Sequence, residues 1–244
     1  MHIHHFHNSL LGFADTKSLA EITALCRHLS NSMGFDAFIY ALRTPSGFSE
    51  AQLTTVNGYP DAWLAHYFSK EHYKHDPIVK HCSEHTVPVC WDDPSLFVNS
   101  QSRQVMQEAA DFGLAAGISM PVHSPHGELG ILSFAIGQTN DAAKALTQQA
   151  LPYVQLLAGY LHEAVRRVCL PVVKQSQTLT SREVECLCRV ADGKSSWEIG
   201  ALLGLSERTV NFHINNSMAK LQVYNRQHAV AKATLTGMIR PSPF

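Results

Sequence analysis

"SSWEIGALLGLSERTVNFHINNSMAKL", residues 195 to 221, holds two short helical patterns with a glycine between them, and the second carries an aromatic ring where water is expected. With each residue advancing about 100° around a helix, Val210, Ile214, Ser217, Met218 and Leu221 share one side of residues 206 to 221 and form a core stripe. Arg208, Asn211, Phe212 and Asn215 share the other. Gly204 closes the first helix and Ser206 caps the second. A short helix, a glycine-containing turn and a capped second helix make a helix-turn-helix, whose second helix lies in the major groove of DNA. An ordinary helical hairpin has the same spacing, so the outward face decides. A solvated face mixes Glu and Lys, and this one does not. Asparagine pairs with adenine, arginine pairs with guanine or holds phosphate, and an aromatic edge packs on a thymine methyl. The spacing therefore predicts Arg208, Thr209, Asn211, Phe212 and Asn215 against DNA, with Lys220 on phosphate.

Working outward, "CLPVVKQSQTLTSREVE" breaks a long helical pattern at Pro171 and restarts at a helix-start signature, with Thr180 or Ser181 as cap and Glu183 in the first turn. This places a linker at 170 to 178, a first domain at 1 to 169 and a helical domain at 179 to 244, in which four helices and no strand are expected. The charges divide at the same place. Residues 1 to 174 hold 11 Lys or Arg against 15 Asp or Glu, whereas residues 175 to 244 hold 8 against 5. Only the second region has the sign that suits a polyanion.

In the first region, helical spacing runs over about 17 to 32, 60 to 70, 100 to 112 and 142 to 168. Between these lie strand-like runs, "FDAFIYAL", "AQLTTVN", "VPVCW", "AGISMPVH" and "ELGILSFAI", the last two joined by the turn "SPHGE". The order predicts an α+β fold, an antiparallel sheet with helices on both faces (an α/β/α sandwich), followed by the small all-α helix-turn-helix domain. The long segment Asp141 to Val168 is the expected meeting place of two subunits.

Composition removes several classes. A hydrophobic fraction of 45% with both charge signs fits a globular chain. No apolar run approaches the roughly 20 residues of a membrane-spanning helix. "MHIHHFHNSL" lacks the basic-then-apolar order of a signal peptide, which predicts a cytoplasmic protein, and its histidines read as a frayed terminus. The six cysteines sit in apolar periodic segments and read as buried thiols, and Cys186 and Cys188 have no second pair at zinc-binding distance. No metal or cofactor is expected. "GISMP" at 117 to 121 misses the nucleophile-elbow pattern at Pro121, and adjacent His81 and Cys82 point apart, so no catalytic activity is expected. A phosphoacceptor receiver does not fit, since Asp92 and Asp93 come late and alternating parallel strands and helices do not follow.

What remains is "GYPDAWLAHYFSKEHYKHDPIV", residues 58 to 79. Tyr59, Trp63 and Tyr67 recur every four residues on one helical face, and rings with polar tips suit a pocket whose polar groups need partners. Pro77 biases Asp76 to an extended backbone, where its carboxylate is a strong acceptor. Aromatic core packing, with Asp76 capping "PIVKHC", accounts for the same residues.

The tail "LTSREVECLCRVADGKSSWEIGALLGLSERTVNFHINNSMAKLQVYNRQHAVAKA" closely resembles the DNA-binding domain of LuxR-type transcriptional regulators, with Glu183, Leu187 and Gly193 at framework positions. The combination of Tyr59, Trp63, Tyr67, Asp76, Pro77, Trp91 and Gly117, with "GELGILSF" at 127 to 134, resembles the signal-binding domain of the quorum-sensing members, whose ligands are N-acyl-homoserine lactones. The resemblance implies that Trp63 donates to the lactone carbonyl, Asp76 accepts from the amide N–H, Tyr59 and Ser133 reach the acyl carbonyl, and Tyr67 and Trp91 wall the head group. It further implies a homodimer on a two-fold symmetric promoter site, acting on the transcription machinery. Leu64 stands where some members carry a polar residue that recognises an oxidised third acyl carbon, which puts a 3-oxo preference in doubt. Tyr40, Leu42, Val79, Ile118 and Phe134 are expected to bear on acyl length. The rival is a first domain that only dimerises, or that takes a different small apolar ligand.

Overall fold

The computed structural model describes residues 3–45, 47, 50–125, 127–169 and 179–241, and the expected linker at 170 to 178 lies outside them. They form two compact units.

In the first unit, helices α1 (Ile3–Gly12) and α2 (Leu19–Met33) precede strands β1 (Ala37–Pro45) and β2 (Ala51–Asn57). Helices α3 (Asp61–Ser69) and α4 (Pro77–Glu84), the two-residue strand β3 (Val89–Cys90) and helix α5 (Ser100–Asp111) follow. The hairpin β4 (Ala116–His123) and β5 (Leu129–Ile136) then leads to α6 (Asp141–Cys169). The five strands are ordered β2-β1-β5-β4-β3, and β1 with β5, β5 with β4, and β4 with β3 pair antiparallel. Ile39 stands opposite Ser133, and Ser133 opposite Ser119.

Side chains alternate across a pleated sheet, and here the alternation separates two interiors. On one face Tyr40, Leu42, Ile118, Leu132 and Phe134 pack against Phe6 and Leu10 of α1, Ile22 and Leu29 of α2, and Val154, Leu157 and Leu161 of α6. On the other, Ala37, Trp91, Ile131 and Ala135 meet Trp63, Ile78 and Ala109 from α3, α4 and α5. This is the expected α/β/α sandwich. Residues 3–12 depart from expectation: they are helical, not frayed, because Phe6 and Leu10, with Phe13 just beyond, place rings and an aliphatic chain at near-helical spacing into the first core, while His2 lies outside the described residues. All six cysteines are free, with Cys26, Cys82 and Cys186 buried and Cys90, Cys169 and Cys188 partly exposed. No described helix is long and apolar enough to cross a membrane.

The second unit contains α7 (Ser181–Ala191), α8 (Ser196–Leu203), α9 (Glu207–Leu221) and α10 (Arg226–Leu235). All four starts are fixed by side-chain caps: Thr180 and Ser195 form capping boxes with Glu183 and Glu198, Ser206 accepts from the Thr209 N–H, and Asn225 accepts from the His228 N–H. Gly204 ends α8 in the left-handed conformation at φ 68°. A Cβ on Gly200 would stand 2.6 Å from the Leu205 carbonyl oxygen, so α8 and the turn meet this closely only through a residue without a side chain.

Candidate functional site

The second interior of the first unit is not filled. A cavity of about 200 Å³ lies there, lined from the helices by Tyr59, Trp63, Leu64, Tyr67, Asp76, Ile78, Val79 and Met106, and from the sheet by Ile39, Ala41, Leu129, Ile131, Ser133 and Trp91. All six expected ligand-site residues line it. Of the side chains expected to bear on acyl length, Val79 does as well. Tyr40, Leu42, Ile118 and Phe134 do not: each is fully buried in the opposite core. The reason is the period of two, since a shift by one residue along a strand carries a side chain to the other face. Ile39, Ala41 and Ile131 occupy the positions given above to their neighbours.

Asp76 has two duties. Its Oδ1 accepts from the backbone N–H of Ile78 at 2.8 Å and of Val79 at 3.3 Å, capping α4 with Pro77 at its first turn. Its Oδ2 accepts from the Tyr67 hydroxyl at 2.7 Å and, with a further lone pair, can take another donor. Burial raises the carboxyl above its ordinary range, opposed by the hydrogen bonds from Tyr67, Ile78 and Val79. A charged donor or a strong neutral N–H in the cavity would favour the carboxylate.

The other polar groups are arranged as donors. The Trp91 indole N–H, which can only donate, gives to Ser119 Oγ at 2.9 Å, and Ser119 Oγ lies 2.7 Å from Ser133 Oγ. When Ser119 donates to Ser133, the Ser133 proton is left to point into the cavity. Trp91 sits so close because of Gly117, where a Cβ would lie 2.9 Å from the indole ring and 2.4 Å from the Phe134 carbonyl oxygen. The buried Tyr59 hydroxyl makes no hydrogen bond of good geometry among the described residues, although Ser133 is near enough to act on it, a shortfall that a ligand acceptor would relieve by about 1–3 kcal/mol. Trp63 is 4% exposed and its indole N–H makes no hydrogen bond among the described residues. One shared acceptor at Asp76, donors at Tyr59, Trp63 and Ser133, and a mostly apolar remainder to which Arg43 and Thr55 also belong describe a site for a small molecule with one N–H, several carbonyl oxygens and an apolar chain.

In the second unit Val210, Ile214, Ser217 and Leu221 are buried and Met218 half-buried, as the core stripe requires. Arg208, Asn211 and Asn215 are exposed, Thr209 is half-exposed and Phe212 is 59% exposed. Asn211 Oδ1 already accepts from Ser196 Oγ at 2.7 Å, so this residue joins α8 to α9 as well as facing outward. Lys220 has a partner within its own unit. Its Nζ gives to Glu183 Oε2 at 2.7 Å, because the Glu183 carboxylate is buried beneath it and a buried charge requires a partner. The same oxygen takes the Thr180 N–H at 2.7 Å. Lys220 is thus a framework cation whose side chain stays 28% exposed.

A polar-tipped cavity in one unit and an exposed recognition helix in the other define a regulator that answers a small molecule and binds DNA. Residues 18–165 match the autoinducer binding domain and residues 177–233 match the bacterial regulatory proteins of the luxR family. The chain belongs to the LuxR family of quorum-sensing transcriptional regulators. It is 36% identical over 215 residues to the transcriptional activator protein VanR of Vibrio anguillarum, covering 87% of this chain and 88% of that one. To the transcriptional activator protein LuxR of Aliivibrio fischeri it is 32% identical over 224 residues, 91% and 90% of the two chains. Among solved structures, Escherichia coli SdiA superposes with a TM-score of 0.77 at 26% identity, over 96% of this chain and 98% of that one.

Proposed function

We propose that the cavity binds an N-acyl-homoserine lactone, and that the protein in the cytosol then binds a two-fold symmetric promoter site as a homodimer and acts on the transcription machinery. The domain division at residues 169 and 179, with a linker at 170 to 178, belongs to this reading. The observation that carries it is the half-buried Asp76 carboxylate, lining the same cavity as a Tyr59 hydroxyl that makes no hydrogen bond of good geometry among the described residues. A lactone of this class has one amide N–H for Asp76 and carbonyl oxygens for Trp63, Tyr59 and Ser133. Its acyl chain suits Ile39, Ala41 and Ile131, while Tyr67 and Trp91 wall the head group. On α6, Leu156 and Tyr160 lie one turn apart and are 50% and 38% exposed, the surface on which a second copy would sit. Arg208, Thr209, Asn211, Phe212 and Asn215 are the residues assigned to DNA, with Lys220 on phosphate. No catalytic role is assigned to any residue.

The test is thermal unfolding with a panel of lactones that differ in chain length and third-carbon oxidation. A ligand that binds only the folded form at 100 times its dissociation constant adds about 2.7 kcal/mol. Leu64 lines the cavity without a polar group, so unoxidised chains should raise the midpoint more than matched 3-oxo chains. A panel in which no lactone moves the midpoint retires the assignment and leaves the first domain as a dimerisation module or a receptor for another apolar molecule.

A further inference from the structure

Trp63 has a second set of neighbours that do not line the cavity. Its ring stacks on His72 with centroids 5.9 Å apart, and Phe112 packs 5.5 Å from both Trp63 and His66. These rings fix two imidazoles whose Nε2 atoms converge on one oxygen: Glu108 Oε2 lies 2.5 Å from His66 Nε2 and 2.9 Å from His72 Nε2. The three atoms lie within 4.8 Å of one another and come from α3, the turn His72–Lys74 and α5. Gln104 Nε2 holds the other carboxylate oxygen at 2.7 Å. Imidazoles placed for packing need no common acceptor.

We propose that His66, His72 and Glu108 form a binding site for a divalent transition metal, with zinc the ion best suited. Two imidazoles and one carboxylate are zinc-type ligands and leave a fourth position for water. His72 is buried, while the His66 and Glu108 side chains are 29% and 25% exposed, so the open position faces solvent. Zinc bonds of about 2.0–2.1 Å set tetrahedral ligand atoms about 3.3 Å apart, which the triad reaches when Glu108 Oε2 moves away from each imidazole by less than about 1 Å and the two Nε2 atoms, within 4.8 Å of one another, settle to that spacing. Each imidazole then binds as the neutral tautomer carrying its proton on Nδ1, and the Gln104 contact is the kind of outer support that metal-bound carboxylates keep. The ion would brace the outer side of Trp63, a wall of the cavity, but its binding does not depend on what the cavity holds.

The experiment uses the full chain with His2, His4, His5 and His7 each changed to Gln, which removes the competing histidines of the first residues. Bound zinc is counted by equilibrium dialysis and elemental analysis, and cobalt substitution reports coordination through its visible absorption. One zinc per chain and tetrahedral cobalt bands are expected. Glu108→Gln, which still accepts from the imidazoles and so keeps the fold, should weaken binding at least tenfold. Gln104→Ala should weaken it by about tenfold, and His66→Phe with His72→Phe should abolish it. Failure of the parent to bind zinc overturns the proposal. So does equal stoichiometry and affinity in parent and Glu108→Gln, each confirmed folded by its thermal midpoint.

Discussion

Asp76 can be divided into its two duties by substitution. Asparagine is as good a helix cap as aspartate, so Asp76→Asn should leave the unliganded midpoint within about 1 °C, on the scale where 1 kcal/mol shifts a domain of this size by about 2–4 °C. It removes the charged acceptor, and the lactone-induced rise should fall by about 1–3 kcal/mol. Acidity gives a second signature. Burial raises the Asp76 carboxyl in the folded protein, so the empty fold holds a proton that the unfolded chain has lost, and stability from this group declines as pH rises through that window. An amide N–H in the cavity favours the carboxylate, so binding expels the proton. Lactone affinity should rise with pH from the ordinary carboxylate range to the raised value and stay flat above it, and calorimetry on Asp76→Asn should find no such slope. Residue types were readable along the chain at this scale, since Tyr59, Trp63, Tyr67, Asp76, Trp91 and Ser133 all reach the cavity. The facing of strand residues was not. A continuous apolar run such as "FDAFIYAL" is buried on both sides and carries no polar alternation to show which side is which.

Within α9, two residues one turn apart should respond differently. The Asn215 side chain is exposed and makes no hydrogen bond among the described residues, so Asn215→Ala should cost about 1–3 kcal/mol of specific DNA binding and relax preference at one base pair per half-site, with the thermal midpoint unchanged. Asn211→Ala should lower both, because it also removes the Ser196 contact. Lys220→Ala should act on stability first, by about 1–3 kcal/mol, since it strands the buried Glu183 while the lysine itself is partly solvated. Burial alone would raise Glu183, but Lys220 and Thr180 bring it below its ordinary value. Its contribution is therefore complete above the ordinary carboxylate range and disappears as pH falls through the depressed value. Urea melts at neutral and acid pH, compared with Lys220→Ala, check this. Helix starts were legible because caps are local: Thr180, Ser206 and Gly204 stand where the sequence places them. Helix α1 was not, because histidines dominate its sequence although Phe6, Leu10 and Phe13 carry the signal. Strand β3 shrank to two residues from the run at 87 to 91, where Pro88 has no N–H to give a ladder.

For the whole molecule, pairing is the quantity to measure. A helical region with 8 basic against 5 acidic residues makes few phosphate contacts, and two copies double them while raising local concentration. Sedimentation of lactone-bound protein should give a dimer that covers half-sites about one helical turn apart. Leu156→Glu with Tyr160→Glu should return a monomer that still gains stability from lactone, whereas a dimer that survives both changes places the contact elsewhere. The sheet itself has a consequence for how such receptors diverge. Positions that shape the cavity alternate along β1 and β5 with positions that hold the solid core, Ile39 and Ala41 against Tyr40 and Leu42. A point mutation at one set leaves the other untouched, so ligand preference can drift among descendants one nucleotide at a time. Insertion or deletion of a single codon in either strand exchanges the two sets and forfeits fold and preference together. Lineages descended from this gene should therefore vary freely in the identity of the cavity-facing residues and hardly at all in the length of these strands.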